Sequence, residues 1–191
     1  MNEGQPLLSA RGLTRDFGGI RAVDTLSFDV AEGSITGIIG PNGAGKTTVF
    51  NLVTGLYRPS SGSVLFRGEE IGGRRPDAIV RLGIARTFQN IRLFNRRTCL
   101  ENVLTPLLQR VKCSFVGAML GLPSVRRLER ELKERARSLL MTLGLERYAL
   151  AAAGTLPYGL QRKLEIARAL ATEPSLLLLD EPAAGMNPGE T

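Results

Sequence analysis

Residues Gly40, Pro41, Asn42, Gly43, Ala44, Gly45, Lys46 and Thr47 spell G-x-x-x-x-G-K-[ST]. The strand-like run Ile35–Ile39 precedes them, and an apolar-periodic stretch, Lys46–Thr54, follows. Glycines let a chain curl so that successive backbone N–H groups point inward at an anion. A helix opening at the end of the curl adds its positive pole. Lys46 then reaches the β- and γ-phosphates of a nucleotide, and the Thr47 hydroxyl takes one position on Mg²⁺. A chain of average composition contains this pattern by chance roughly one time in a hundred or less. With the strand before it and the helix after it, the segment reads as a phosphate loop. A lysine inside a glycine loop needs an anion.

The rest of the chain must suit an α/β fold around that loop. It has 191 residues, 43% apolar and 23% charged, which fits one domain with a small insert and argues against disorder. No apolar run reaches the ~18 residues of a membrane span. The segment MNEGQPLLSARG has no basic stretch leading into an apolar core, so it does not read as a secretory signal. Cys99 and Cys113 fit no metal or redox spacing and read as free thiols of a reducing compartment. The chain has no histidine, which excludes His-based triads and His metal sites. Its chemistry runs on carboxylates, lysine, amides and backbone.

Leu26–Val30, Ile35–Ile39 and Val64–Phe66 read as strands. Lys46–Thr54 reads as a helix stopped by Gly55. Asp77 is a candidate N-cap for a short helix ending at Gly83. Thr98 and Glu101 form a capping box, so a helix should start at Cys99. Ser124 is placed to cap a further helix whose apolar face is Val125, Leu128, Leu132, Ala136, Leu139, Leu140 and Leu143, with Gly144 as its end. Another helix spans Leu160–Ala171. The wholly apolar run Leu176–Leu179 reads as a buried strand of a parallel sheet that delivers Asp180 and Glu181 at its carboxyl end. An acid there can hold Mg²⁺ through water, and its neighbour can orient or deprotonate an attacking water.

The net charge of +7 is uneven: Arg74–Arg147 carries 16 Lys/Arg against 6 Asp/Glu, so this segment is +10 and the rest −3. Over 126–137 the pairs Glu129–Lys133 and Glu131–Arg135 point to a solvated helix face. The arginines of 74–97 suit nucleic acid, an anionic membrane surface or plain solvation.

The phosphate loop and the Leu176–Glu181 strand, with LPYGLQRKLEIARAL between them, resemble the ATP-binding cassette (ABC) family, over essentially the whole chain and in the family's order. The resemblance implies a P-loop NTPase (RecA-like) core with an N-terminal antiparallel β subdomain and an α-helical insert. The segments would be 1–88 for the β subdomain and loop, 89–160 for the helical part and 161–191 for the Walker B part. It implies that Phe17 stacks on adenine and that Gly40–Thr48, including Thr48, is the Walker A loop. Gln89, in RTFQN, contacts Mg²⁺ or the attacking water. Leu156, Pro157, Tyr158, Gly159 and Leu160 form the signature that meets the other subunit's nucleotide. Asp180 is the Walker B acid, Glu181 the catalytic base, and Ala183–Pro188 the loop crossing to the other subunit. ARTFQNIRLF, LPYG with RKLEIARAL, and LLLLDEPAAGMNP resemble the LivG-type ATP-binding subunits of branched-chain amino acid importers, whose longer helical middle matches 110–127.

That resemblance implies ATP and Mg²⁺ as cofactors and a second cassette, identical or homologous, as partner. It implies permease subunits embedding a short helix beside the glutamine loop, and indirectly a periplasmic binding protein. The location is the cytoplasmic face of the inner membrane. The arginines of 74–97 would face permease and lipid headgroups, with no nucleic acid involved. Three departures stand out. Pro157 replaces the signature serine and lacks both hydroxyl and N–H, so weaker capping of the opposite phosphate is expected. Leu160 replaces glutamine, and Asn187 replaces aspartate. The family's histidine lies one strand beyond Glu181; the chain ends before it, at Thr191, so a partial sequence is expected, with the C-terminal part of the core missing. The alternatives are a soluble cassette acting on nucleic acid or ribosomes, and an ATP-binding fragment that does not hydrolyse.

Overall fold

The computed structural model describes residues 5–87, 89–109 and 123–182. Cys113, most of the 110–127 stretch, the loop Ala183–Pro188 with Asn187, and Thr191 lie outside them. The chain divides into two compact units, Met1–Ile84 and Ala85–Thr191.

The first unit is built on an antiparallel sheet in the order β2-β1-β3-β4. Its strands are β1 (Leu8–Phe17), β2 (Ile20–Val30), β3 (Ser61–Phe66) and the short β4 (Glu69–Glu70). The β1–β2 hairpin turns through Gly18 and Gly19, both at positive φ, which lets a two-residue loop match the strand twist. Its register sets Phe17 opposite Ile20 and Leu8 opposite Val30. Leu8, Leu13, Val64 and Ile71 are fully buried. Helix α1 (Lys46–Val53) buries Val49, Leu52 and Val53, as its period requires.

Two expectations fail in this unit. Asp77 does not cap α2 (Pro76–Arg81): Pro76 takes the first turn, Arg75 is the cap, and Asp77 lies within the helix. Proline suits that position because its missing N–H would be unpaired there anyway. Asp77 pairs with Arg75 and Arg81. Ile35–Ile39 forms no strand, and both Ile35 and Ile39 are fully exposed. A strand exists through its ladder, and among the described residues none pairs with this run.

The second unit is mainly helical: α3 (Cys99–Gln109), α4 (Pro123–Thr142) and α5 (Tyr158–Leu170), with single 3₁₀ turns at Glu146–Tyr148 and Ala153–Thr155. Cys99, Val103, Leu140, Leu145, Leu164 and Ala167 are fully buried in its core. The capping box forms as expected: Thr98 Oγ1 accepts the Glu101 N–H at 3.1 Å, and Glu101 Oε2 accepts the Thr98 N–H at 2.8 Å. α4 buries Leu132, Ala136 and Leu140, and Gly144 follows it at positive φ. Ser124 is not its cap, because the helix already includes Pro123. Glu129 pairs with Lys133 at 2.7 Å as expected. Glu131 instead pairs with Arg127, one turn back, and Arg135 reaches Glu173.

α5 opens at Tyr158, two residues before the expected start, because the Pro157 carbonyl already accepts the Gln161 N–H at 3.0 Å. The short strands β5 (Ile84–Arg86) and β6 (Leu176–Leu178) form a two-stranded sheet. β6 is half-buried where full burial was expected, since β5 is its one ladder neighbour among the described residues.

Candidate functional site

The phosphate loop closes onto the β1–β2 hairpin. Gly45, the N-cap of α1, has φ 84°, and a Cβ there would lie 2.3 Å from the carbonyl oxygen of Ala22 in β2. Only glycine satisfies both the left-handed backbone and that approach. Gly43 also has positive φ. Lys46 folds back over the loop, its Nζ donating to the carbonyls of Gly40 at 2.7 Å and Pro41 at 2.9 Å. These neutral acceptors hold the ammonium inside the curl, where a phosphate oxygen, charged in its turn, would bind it more strongly. Thr47 is exposed and Thr48 half-buried in the first turn of α1, while Pro41, Asn42 and Ala44 are exposed.

Phe17 ends β1, at the same hairpin, and is 36% exposed. Tyr57 meets it edge-on at 5.1 Å between centroids. The Arg15 guanidinium lies 4.5 Å from the Phe17 centroid and donates to the Arg58 carbonyl. Arg15 and Tyr57 were not anticipated from sequence. Their only signals were an arginine two positions before Phe17, hence on the same strand face, and an aromatic just past the Gly55 stop.

In the second unit, β6 delivers the two acids as the sequence suggests, but to different settings. Asp180 is buried and pairs with Arg86 at 2.8 Å; its N–H approaches Thr87 Oγ1 at 3.4 Å. Glu181 is exposed, at φ 48°. Such a conformation is uncommon outside glycine and is found at functional sites where strain is held by surrounding structure. Arg86 was missed because nothing local to ARTFQ distinguishes a buried counter-ion from a surface arginine.

Gln89 is exposed, while its backbone carbonyl accepts a bond from Arg162 of α5. Arg162 is buried and pairs with Glu165 at 3.1 Å. Asn102, fully buried, accepts the Phe94 N–H and donates to the Phe94 carbonyl. The signature segment leads into α5: Leu156 and Gly159 are buried, Pro157 and Tyr158 exposed, and Leu160 half-buried. The N–H groups of Tyr158, Gly159 and Leu160 belong to the first turn and have no partner within the helix, so Pro157 leaves a helix end of the kind that can meet an anion.

Phe17 and the loop thus share one hairpin, and Gln89 and the signature share one helix through Arg162. Each unit offers an oxygen donor of the kind a hard cation takes. In the first, Thr47 carries a hydroxyl; in the second, Asp180 is a carboxylate with about four lone-pair sites, one of them turned to Arg86. Among the described residues no cluster of three or more acidic or sulfur groups could cage a metal alone. Mg²⁺ is commonly held by one or two carboxylates together with substrate phosphates.

The family profile described as ABC transporter matches residues 23–184. The chain is 46% identical over 187 residues to the high-affinity branched-chain amino acid transport ATP-binding protein LivG of Escherichia coli K12, and 48% identical to BraF of Pseudomonas aeruginosa. Each alignment covers 98% of this chain and 73% of the relative's length. Among solved structures, the ADP conformation of MJ1267, an ATP-binding cassette of an ABC transporter, superposes with a TM-score of 0.81 at 34% identity, covering 97% of this chain and 72% of that one. A dimeric post-hydrolysis state of the cassette MJ0796 with ADP and Pi gives 0.78 at 27% identity, covering 96% and 77%. With its antiparallel N-terminal sheet, phosphate loop and helical part, the chain belongs to the ABC transporter family, as one of its ATP-binding cassettes.

Proposed function

We propose that the chain is the ATP-binding and hydrolysing subunit that energises a branched-chain amino acid importer. The observation that carries the reading is the phosphate loop: a left-handed Gly45 closed on Ala22, with Lys46 turned into the curl. The transported class is supported by similarity to LivG and BraF over 98% of the chain, which also favours an importer cassette over a soluble cassette acting on nucleic acid or ribosomes.

In this reading the segments 1–88, 89–160 and 161–191 act as the β subdomain with loop, the helical part and the Walker B part. Phe17 stacks on adenine. The N–H groups of Gly40–Thr48 and the Lys46 ammonium hold the β- and γ-phosphates. Thr47, Gln89 and Asp180 hold Mg²⁺, which neutralises charge on those phosphates. Glu181 orients the attacking water and accepts its proton, a role open to an exposed carboxylate in a chain without histidine. Leu156–Leu160 presents its helix end to the nucleotide of a second cassette, identical or homologous.

Permease subunits dock beside the Gln89 loop. A groove of about 410 Å³, lined by Phe94, Arg97, Glu101, Leu104, Thr105 and Leu108, supports this. Its half-exposed Phe94 and Leu108 suit the apolar face of a short helix. No described helix is long and apolar enough to cross a membrane. In this reading, which follows the similarity to LivG and BraF, the chain sits peripherally through the permease, at the cytoplasmic face of the inner membrane, and a periplasmic binding protein acts on it only indirectly.

Glu181→Gln in the assembled transporter tests the reading. ATP binding should stay at the parent level while turnover falls by about 100-fold or more. Parent turnover in the variant would move the base elsewhere. Co-expression with the permeases should shift the chain to the membrane fraction, and equal partition without them would reject the docking.

A further inference from the structure

We propose that Arg162 is a positioning residue that locks the Gln89 loop to the first turns of α5, so that the loop and the 156–160 segment shift as one piece. The proposal rests on the reading of Gln89 and 156–160 given above. The Arg162 side chain is 3% exposed, and its guanidinium reaches both the loop and its own helix. It pairs with Glu165 at 3.1 Å, donates through its other terminal nitrogen to the Gln89 carbonyl, and lies 5.5 Å from the ring centroid of Tyr158. Tyr158 and Arg162 are one helical turn apart, so the arginine bridges the signature's own turn to the loop.

Burying a cation and a carboxylate is costly, and an apolar pair of the same volume is often at least as stable. Arginine's planar fork can satisfy a carboxylate and a carbonyl at the same time, in fixed directions; lysine's point charge cannot. Glu165 aims that fork. The anchoring atom on the loop is a backbone carbonyl, so the link sets where Gln89 stands while its side chain remains exposed.

The rest of the loop is tied down in the same way. Arg168, further along α5, donates to the Arg92 carbonyl and covers the Phe94 ring at 5.2 Å. Asn102 of α3 holds the Phe94 backbone by two bonds, at 2.9 and 3.2 Å. Each of these bonds addresses loop backbone. A displacement that carries α5 and α3 together is therefore passed to Gln89 through the loop backbone.

Hydrogen–deuterium exchange on the full chain, with and without Mg-ATP, tests the link. In the parent, protection of 89–95 and of 156–162 should respond to Mg-ATP together. In Arg162→Met, amides of 89–95 should exchange about tenfold faster or more, as expected when a charge-assisted bond is lost, and should stop responding to Mg-ATP while 156–162 still responds. Arg162→Lys should fail to rescue. Should Arg162→Met not fold, the double variant Arg162→Met/Glu165→Leu removes both buried charges and should show the same uncoupling in a folded chain. Parent-like protection of 89–95 in a folded variant, or full rescue by lysine, would overturn the proposal. The underlying site reading fails separately: parent ATP turnover in Gln89→Ala would reject it without touching the exchange result.

Discussion

The guanidinium of Arg86 stands 2.8 Å from the carboxylate of Asp180, with the two side chains only 5% and 6% exposed. The acid at the end of β6 is therefore held by a counter-charge from β5, the strand it pairs with, and not by solvent. Arg86→Met removes that counter-charge and leaves a carboxylate in a dry setting. It should cost about 3–5 kcal/mol, read as a lower urea midpoint. Adding Asp180→Asn should recover much of the loss, and a double variant no more stable than Arg86→Met would count against the pairing.

Lys46→Ala should weaken ATP binding by about 1.5–3 kcal/mol, the usual worth of a hydrogen bond to a charged group. Titration calorimetry checks it. Because, among the described residues, the ammonium bonds to the loop's own carbonyls, thermal stability without nucleotide should change little.

Gly45→Ala places a methyl 2.3 Å from the Ala22 carbonyl at φ 84°. The variant should be destabilised by more than about 1 kcal/mol and lose ATP binding, because the loop must open to relieve the clash. Gly43→Ala meets no atom within 4 Å and should pay only for its φ. Equal melting temperatures for the Gly45 variant and the parent would contradict the close approach.

Phe17→Ala should lower affinity for ATP by about 1–3 kcal/mol, the range for base–aromatic stacking, while leaving inorganic triphosphate binding unchanged. Phe17→Tyr should retain affinity for both. A parallel loss for both ligands would mean that Phe17 supports the loop and does not meet the base.

The Thr98 backbone N–H, with smaller help from the Thr98 hydroxyl and Arg97, holds the Glu101 carboxyl below its ordinary range. A carboxyl whose folded value is depressed contributes stability that is fully present above its unfolded value, near 4.3, and is lost as pH falls through the folded value. Thermal melts from neutral to acidic pH should therefore show Glu101→Gln losing its deficit relative to the parent below that window. A deficit independent of pH would assign the effect to packing.

Features that depend on neighbours a few residues apart are legible in the sequence alone. The phosphate loop is legible because glycine, lysine and threonine at fixed spacing have one chemical use. The start of α3 is legible because Thr98 and Glu101 satisfy each other's backbone within a single turn. The buried stripe of α4 follows from helical period alone, and the acids after Leu176–Leu178 follow from an apolar run that ends.

Features that depend on distant segments emerge only in the folded chain. Ile35–Ile39 has strand composition but no ladder partner among the described residues, and composition cannot supply one. Arg86 and Asp180 are 94 residues apart in sequence, and Arg162 and Gln89 are 73 apart. An arginine on the surface and one buried against a carboxylate look alike in a one-dimensional pattern. Burial and chain crossing alone separate them, because a charge removed from water must find its partner wherever the fold brings one near.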